Sequence, residues 1–192
     1  MSTLRPKVAI LGWGSLLWDK NEDFDAHREE WRFDGPLLHL EFSRISSTRA
    51  DALTLVIDYA HGSPVTVAWC MSKRQEVDDV VVDLGRREGC SIKHIRSLNT
   101  PVLQEGSAPP EASAIAEWAK AHHIDVVVWT GLPSNFEAKR NTPFSVEHAI
   151  AYLKNLPPEG KAIAAEYIWR APKFVTTPLR DALQTQPWFG PS

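Results

Sequence analysis

Leu37-Leu38-His39-Leu40-Glu41-Phe42-Ser43-Arg44 alternates apolar and polar side chains. Leu38, Leu40 and Phe42 fall on one side, and His39, Glu41 and Ser43 on the other. That period of two predicts a half-buried strand, with one face on a core and one on solvent. Downstream, Leu53–Asp58 and Val65–Met71 predict two further strands, joined as a hairpin across Tyr59–Pro64. Upstream, Lys7–Leu11 is a short apolar run that predicts a buried strand, ending at Gly12-Trp13-Gly14-Ser15. Asp19–Glu30 is polar and charge-rich, a loop or a short solvated helix.

The clearest helix follows Met71. Ser72 and Gln75 have the spacing of a capping box. Val77, Val80, Val81 and Leu84 then form one apolar stripe at i, i+3, i+4 and i+7. Gly89 is placed to stop the helix. Ser91–Leu98 predicts a strand, residues 106–110 a loop, and Glu111–His122 a helix with Ile115, Ala116 and Ala119 inward. Ile124–Thr130 predicts an apolar strand and Gly131–Pro143 a long polar loop. Helices are expected over Ser145–Asn155 and Glu159–Ile168, and a last short one starts at Thr177-Pro178. The strands gather in the first half and near residue 125, without regular alternation with helices. The pattern predicts an α+β fold with a mainly antiparallel, barrel-like sheet and argues against a doubly wound parallel one.

A chain of 192 residues with 43% apolar and 23% charged side chains can bury a core of its own. One domain over residues 1–192 is expected, with 171–192 as a C-terminal extension. A formal net charge of −3 excludes a general nucleic-acid binder. Two cysteines, Cys70 and Cys90, make no disulfide framework. No apolar run reaches the roughly 20 residues of a membrane helix, and no leader pattern opens the chain. The expectation is a cytoplasmic protein without membrane or nucleic-acid partners. The eight Trp are unusual. Trp13, Trp18, Trp69 and Trp129 stand at positions from which they could wall one cavity, whereas Trp31, Trp118, Trp169 and Trp188 read as packing.

Glu88 is the residue most at odds with its surroundings. It lies four residues past Leu84, on the apolar stripe, and at a helix C-terminus, where the macrodipole disfavours an anion. Local conflicts of this kind gather at functional sites. Burial would raise its pKa and suit it to general acid–base work. An ion pair with Arg86 or Arg87, or a frayed helix end, would also account for it. Gly12-Trp13-Gly14-Ser15 has glycines that permit positive φ and an anion-binding nest of N–H groups; a tight structural turn fits it equally. It lacks the spacing of a dinucleotide fingerprint, a phosphate loop or a nucleophile elbow. Arg44 and Arg49 flank Ser46-Ser47-Thr48 and could grip a carboxylate, or sit in a solvated turn. Cys90 and His94 would share a strand face as a thiol pair, against the plainer reading of a small apolar Cys. No His or Cys spacing fits a metal site.

Two of these features occur together in one family. Val8-Ala9-Ile10-Leu11-Gly12-Trp13-Gly14-Ser15-Leu16-Leu17-Trp18 resembles the N-terminal strand and Tyr-Gly-Ser loop of the γ-glutamylcyclotransferase superfamily, with a continuation most like its ChaC branch. Thr66-Val67-Ala68-Trp69, followed by the helix ending Leu84-Gly85-Arg86-Arg87-Glu88, is similar to the family's Gly-Val-Ala-Tyr strand and its helix ending in Arg-Glu. Weaker echoes are Trp129-Thr130 with Asn135-Phe136, and Ala165-Glu166-Tyr167-Ile168.

The resemblance implies a small mixed β-barrel flanked by helices and an enzyme of the amide-cleaving lyase or acyltransferase kind. A γ-glutamyl group would cyclise to 5-oxoproline, releasing an amine or peptide. Glu88 would be the catalytic acid/base, and Gly12, Trp13, Gly14, Ser15, Leu16, Arg44 and Tyr167 would bind substrate. No cofactor is implied, because ring closure is intramolecular and needs mainly positioning. The partner would be a small γ-glutamyl compound, and the assembly a monomer or homodimer. The chain departs from the pattern where Trp13 replaces Tyr, where Gly89-Cys90-Ser91 replaces Gly-Gly-Tyr, and where Leu156-Pro157-Pro158-Glu159-Gly160 replaces a Gly-Pro-rich run. The rival expectation is a non-catalytic small-molecule binding or interaction domain on the same fold.

Overall fold

The computed structural model describes residues 5–100 and 109–190. It has an α+β fold whose chain divides into two compact units. Of the described residues, the first comprises 5–12, 16–38, 66–100 and 109–131, and the second 13–15, 39–65 and 132–190.

The first unit is built on β1 (Val8–Gly12), every residue of which is buried. β1 runs antiparallel to β5 (Ala68–Met71) and parallel to β7 (Val126–Thr130), and β6 (Ile95–Asn99) pairs antiparallel with β7. Val8, Ile10, Val126 and Val128 meet Val80 and Leu84 of α2 (Val77–Glu88) in one apolar cluster. Ala9, Leu11, Val127 and Trp129 point the other way and are equally buried. α3 (Ala112–Ala121), which buries Ile115, Ala116 and Ala119, packs against β7. A strand covered on both faces reads as a continuous apolar run, as β1 does. α1 (Glu22–Ala26) is short and solvated, capped by the Asn21 side chain.

In the second unit, β2 (Leu37–Ser46) lies between β3 (Ala52–Ile57) and β4 (Ser63–Thr66). α6 (Pro158–Arg170) packs on β3. Gly160 permits that approach, because a Cβ there would lie 2.9 Å from the Ala50 carbonyl. α4 (Phe136–Arg140), α5 (Val146–Asn155) and α7 (Pro178–Leu183) complete the unit. The residues expected as an extension belong to it, with Val175, Leu179, Leu183 and Phe189 buried.

Several expectations need correction. Among the described residues the strands form two open sheets, not a closed barrel. The run over residues 65–71 splits at Val67, whose N–H donates to Pro36 and whose carbonyl accepts from Gly35. Its two halves therefore join different sheets. The hairpin fails for a related reason: β2 lies between β3 and β4. The Asp58 carboxylate accepts from the N–H groups of Ala60 and His61. Gly62 then sits against Leu40, leaving no room for a Cβ, which would be 2.7 Å from the Leu40 carbonyl.

Ser72 does not cap α2. Its N–H extends the β1 pairing by donating to Val8, and the helix begins at Val77 after Glu76. The predicted stripe and the Gly89 stop do hold. Gly89 adopts φ 60°, and its N–H returns to Arg86. Cys90 and His94 share no strand, because Ile92–His94 is a 3-10 turn ahead of β6. The predicted polar loop over 131–143 contains α4. The predicted loop at 106–110 lies mostly outside the described residues. No helix among the described residues is long and apolar enough to cross a membrane.

Candidate functional site

Glu88 is the last residue of α2. It is half-buried, and its Oε1 is withdrawn from solvent. The stripe that carries Leu84 into the core one turn earlier draws Glu88 inward as well. Arg86 projects to solvent, and Arg87 donates to the Asp19 carbonyl at 2.9 Å.

The turn after β1 is buried throughout, from Gly12 to Leu16. Its glycines are explained by crowding and not by φ, since neither has a positive φ. A Cβ on Gly12 would meet the Trp31 ring at 2.9 Å, and one on Gly14 would meet the Tyr167 hydroxyl at 2.7 Å. The left-handed backbone that an anion nest needs is therefore absent here. Leu16 faces the first unit's core. In the second unit the Ser15 hydroxyl accepts from Arg49 at 2.9 Å, and the Arg49 guanidinium lies 5.1 Å from the Tyr167 ring centroid. Trp13 is buried in the same unit.

The structure thus brings Gly14, Ser15 and Tyr167 together with Arg49, and not with Arg44. Arg44 donates instead to the Pro133 carbonyl at 2.8 Å. Around it, Ser134 donates to the Ser43 carbonyl, and the Asn135 amide bonds both backbone groups of Ile45. The segment predicted as a functional loop so serves as a strand surrogate along β2. Trp69 also departs from expectation. Its ring packs edge-on to Trp118 at 5.0 Å, and both indoles donate to Asp34. Trp129 donates to buried Glu111.

One buried acid escaped the sequence reading. Glu41 is 0% exposed and accepts from the N–H groups of Phe42 at 2.7 Å and Leu179 at 3.1 Å. Burial pushes its carboxyl up to about 7; the nearby Asp58 adds to this, while hydrogen bonds from Thr177, Phe42 and Leu179 oppose it. A register shift between Glu41 and Arg44 inserts a residue into β2 and disturbs the alternation. Leu179 and Leu183, apolar at i and i+4 of the short helix that starts at Pro178, were the available signal that this distant segment is buried. Burial pushes the Cys70 thiol up to about 12, which disfavours the thiolate a nucleophile needs. Among the described residues no group of three or more His, Cys, Asp or Glu side chains is arranged to hold a metal ion.

No family model, curated protein or solved structure matches the chain.

Proposed function

We propose that the protein is a γ-glutamylcyclotransferase-like enzyme with Glu88 as its general acid/base. The observation that carries the reading is the half-buried Glu88 carboxylate at the C-terminus of α2, with Oε1 shielded from water. A carboxylate in that position meets the negative end of the helix dipole and loses water on one oxygen, so its charge is locally unfavourable. The Arg86-Arg87-Glu88 helix end and the Gly12–Leu16 turn supply the family likeness.

In the reaction, Glu88 takes a proton from the α-amine of a γ-glutamyl group. The amine nitrogen attacks the side-chain carbonyl carbon, and a C–N bond forms. The tetrahedral intermediate collapses with cleavage of the original amide C–N bond. Glu88 returns its proton to the departing nitrogen, so 5-oxoproline and a free amine or peptide leave. The five-membered ring closes within one molecule, so positioning supplies much of the acceleration. The same reading gives the turn residues Trp13–Leu16, with Tyr167, to substrate binding. Arg49 takes the place first expected for Arg44, because Arg49 is the arginine bonded to Ser15.

Trp13 supports a second reading, a small-molecule binding domain without turnover, since an indole cannot accept a hydrogen bond as a phenol can. A screen for 5-oxoproline release over glutathione, γ-glutamyl dipeptides and γ-glutamylamines separates the two. Release from at least one class is expected. Binding without release across the panel would overturn the enzyme reading in favour of the domain reading.

A further inference from the structure

Within the second unit, the C-terminal segment over residues 171–190 covers the Glu41 side chain. The Phe42 N–H, from the same strand, reaches one carboxyl oxygen, and the Leu179 N–H of α7 reaches the other. The Thr177 hydroxyl adds a hydrogen bond. Leu179 and Thr177 both belong to the segment, so lifting it would strip Glu41 of these partners and open the carboxyl to water.

The segment is tied to itself. The Arg180 guanidinium donates to the carbonyls of Ala171, Pro172 and Val175, each at 2.7 Å, and Thr177 caps α7. It is fastened to the second sheet at Glu41 and at Ser63, whose hydroxyl donates to the Thr176 carbonyl. Val175, Leu179, Leu183 and Phe189 are buried, which keeps the closed form dominant.

The charges around Glu41 do not supply it with a cation. Asp58, just past β3, opposes a second anion; it accepts from the Ser43 hydroxyl at 2.7 Å, and His61 Nδ1 lies 3.2 Å from it. Arg180 is turned onto the carbonyls just named, and Lys173 and Asp181 are exposed. β4 carries no titratable side chain. On β2, His39 stacks on Tyr59, and Arg44 donates to Pro133. On α5, which packs on α7, Glu147, His148 and Lys154 are exposed and Tyr152 donates to the Asp51 carbonyl. On α6, Arg170 pairs with Glu166.

We propose that residues 171–190 form a pH-controlled strap, closed over Glu41 while that side chain is neutral and lifted from the second sheet more often once it ionises. Burial pushes the closed carboxyl up to about 7, against 4.5 ordinarily. Lifting the strap hydrates the carboxyl and returns it towards the ordinary value, so opening releases a proton. Opening therefore grows as pH rises through that window and levels off above it.

Native-state hydrogen exchange on the full chain tests the strap, each amide rate being divided by its intrinsic rate at the same pH. The α7 amides are expected to open about tenfold more often at about pH 8 than at about pH 6. At the higher pH they exchange faster than the amides of β2, because the strap lifts while the sheet stays folded. In Glu41→Gln the side chain keeps its size and stays neutral, so α7 opening no longer changes with pH; circular dichroism verifies the fold. Equal α7 protection at both pH values, or α7 amides as protected as those of β2 at the higher pH, would overturn the proposal on the wild type alone. A pH dependence that survives Glu41→Gln would overturn it as well.

Discussion

Arg49 donates a 2.9 Å hydrogen bond to the hydroxyl of Ser15, 34 positions earlier in the chain. The same guanidinium lies over the ring of Tyr167. One cation thus ties a short turn to a helix within the second unit. Arg49→Ala removes both contacts and is expected to destabilise the protein by about 1–2 kcal/mol. Arg49→Lys is expected to recover only part of this, because an ammonium lacks the planar face and the fork. Urea denaturation of the two variants measures the difference.

Gly14 is explained by the Tyr167 hydroxyl, 2.7 Å from where a Cβ would stand. Tyr167 is buried and packed edge-on against Phe42, so it has little freedom to withdraw. Gly14→Ala is expected to cost about 1–3 kcal/mol. Adding Tyr167→Phe removes the oxygen in conflict and recovers part of the loss. A double-mutant cycle that comes out additive would show that this contact is not the reason for the glycine.

Glu41 makes stability depend on pH in a sense opposite to that of a salt-bridged acid. Its carboxyl titrates near 7 in the folded protein, against 4.5 ordinarily. Between those values the folded chain holds a proton that the unfolded chain has released. Stability therefore falls as pH rises through this window, by about 3 kcal/mol in all. Glu41→Gln is expected to flatten that slope. Unfolding midpoints taken from about pH 3.5 to about pH 8, roughly one unit either side of the window, provide the measurement.

Gly89 ends α2 in the left-handed region with open space around it. Gly89→Ala therefore meets no clash and pays only the backbone penalty, about 1 kcal/mol. Gly89→Asn is expected to cost less, since Asn tolerates that region. Thermal melts distinguish the two, and an equal or larger loss for Asn would contradict this account of the helix stop.

Features set by local periodicity were legible in the sequence. The buried run of β1, the Val77–Leu84 stripe of α2 and the Gly89 stop each depend on neighbours within a few residues. Features set by distant partners were not. Nothing near Val67 signals that residues 35 and 36 pair with it and split one run into two strands. Glu41 reads outward until a bulge and the N-terminus of α7 enclose it. The glycine turn was legible as a tight turn, but Trp31 and Tyr167, which cause the crowding that requires the glycines, are remote in sequence. The choice of Arg49 over Arg44 likewise depends on how the segment after β2 turns through Ala50 and Asp51, both left-handed at φ 48° and 59°.

The central claim concerns Glu88, and one comparison tests it most directly. Wild type and Glu88→Gln are assayed side by side for 5-oxoproline release from the γ-glutamyl compound that the wild type turns over. The isosteric amide keeps the size of the side chain but cannot accept and return the proton. The account predicts that kcat falls by about 10²-fold or more, with the fold intact by circular dichroism. Equal rates in the two proteins would contradict it.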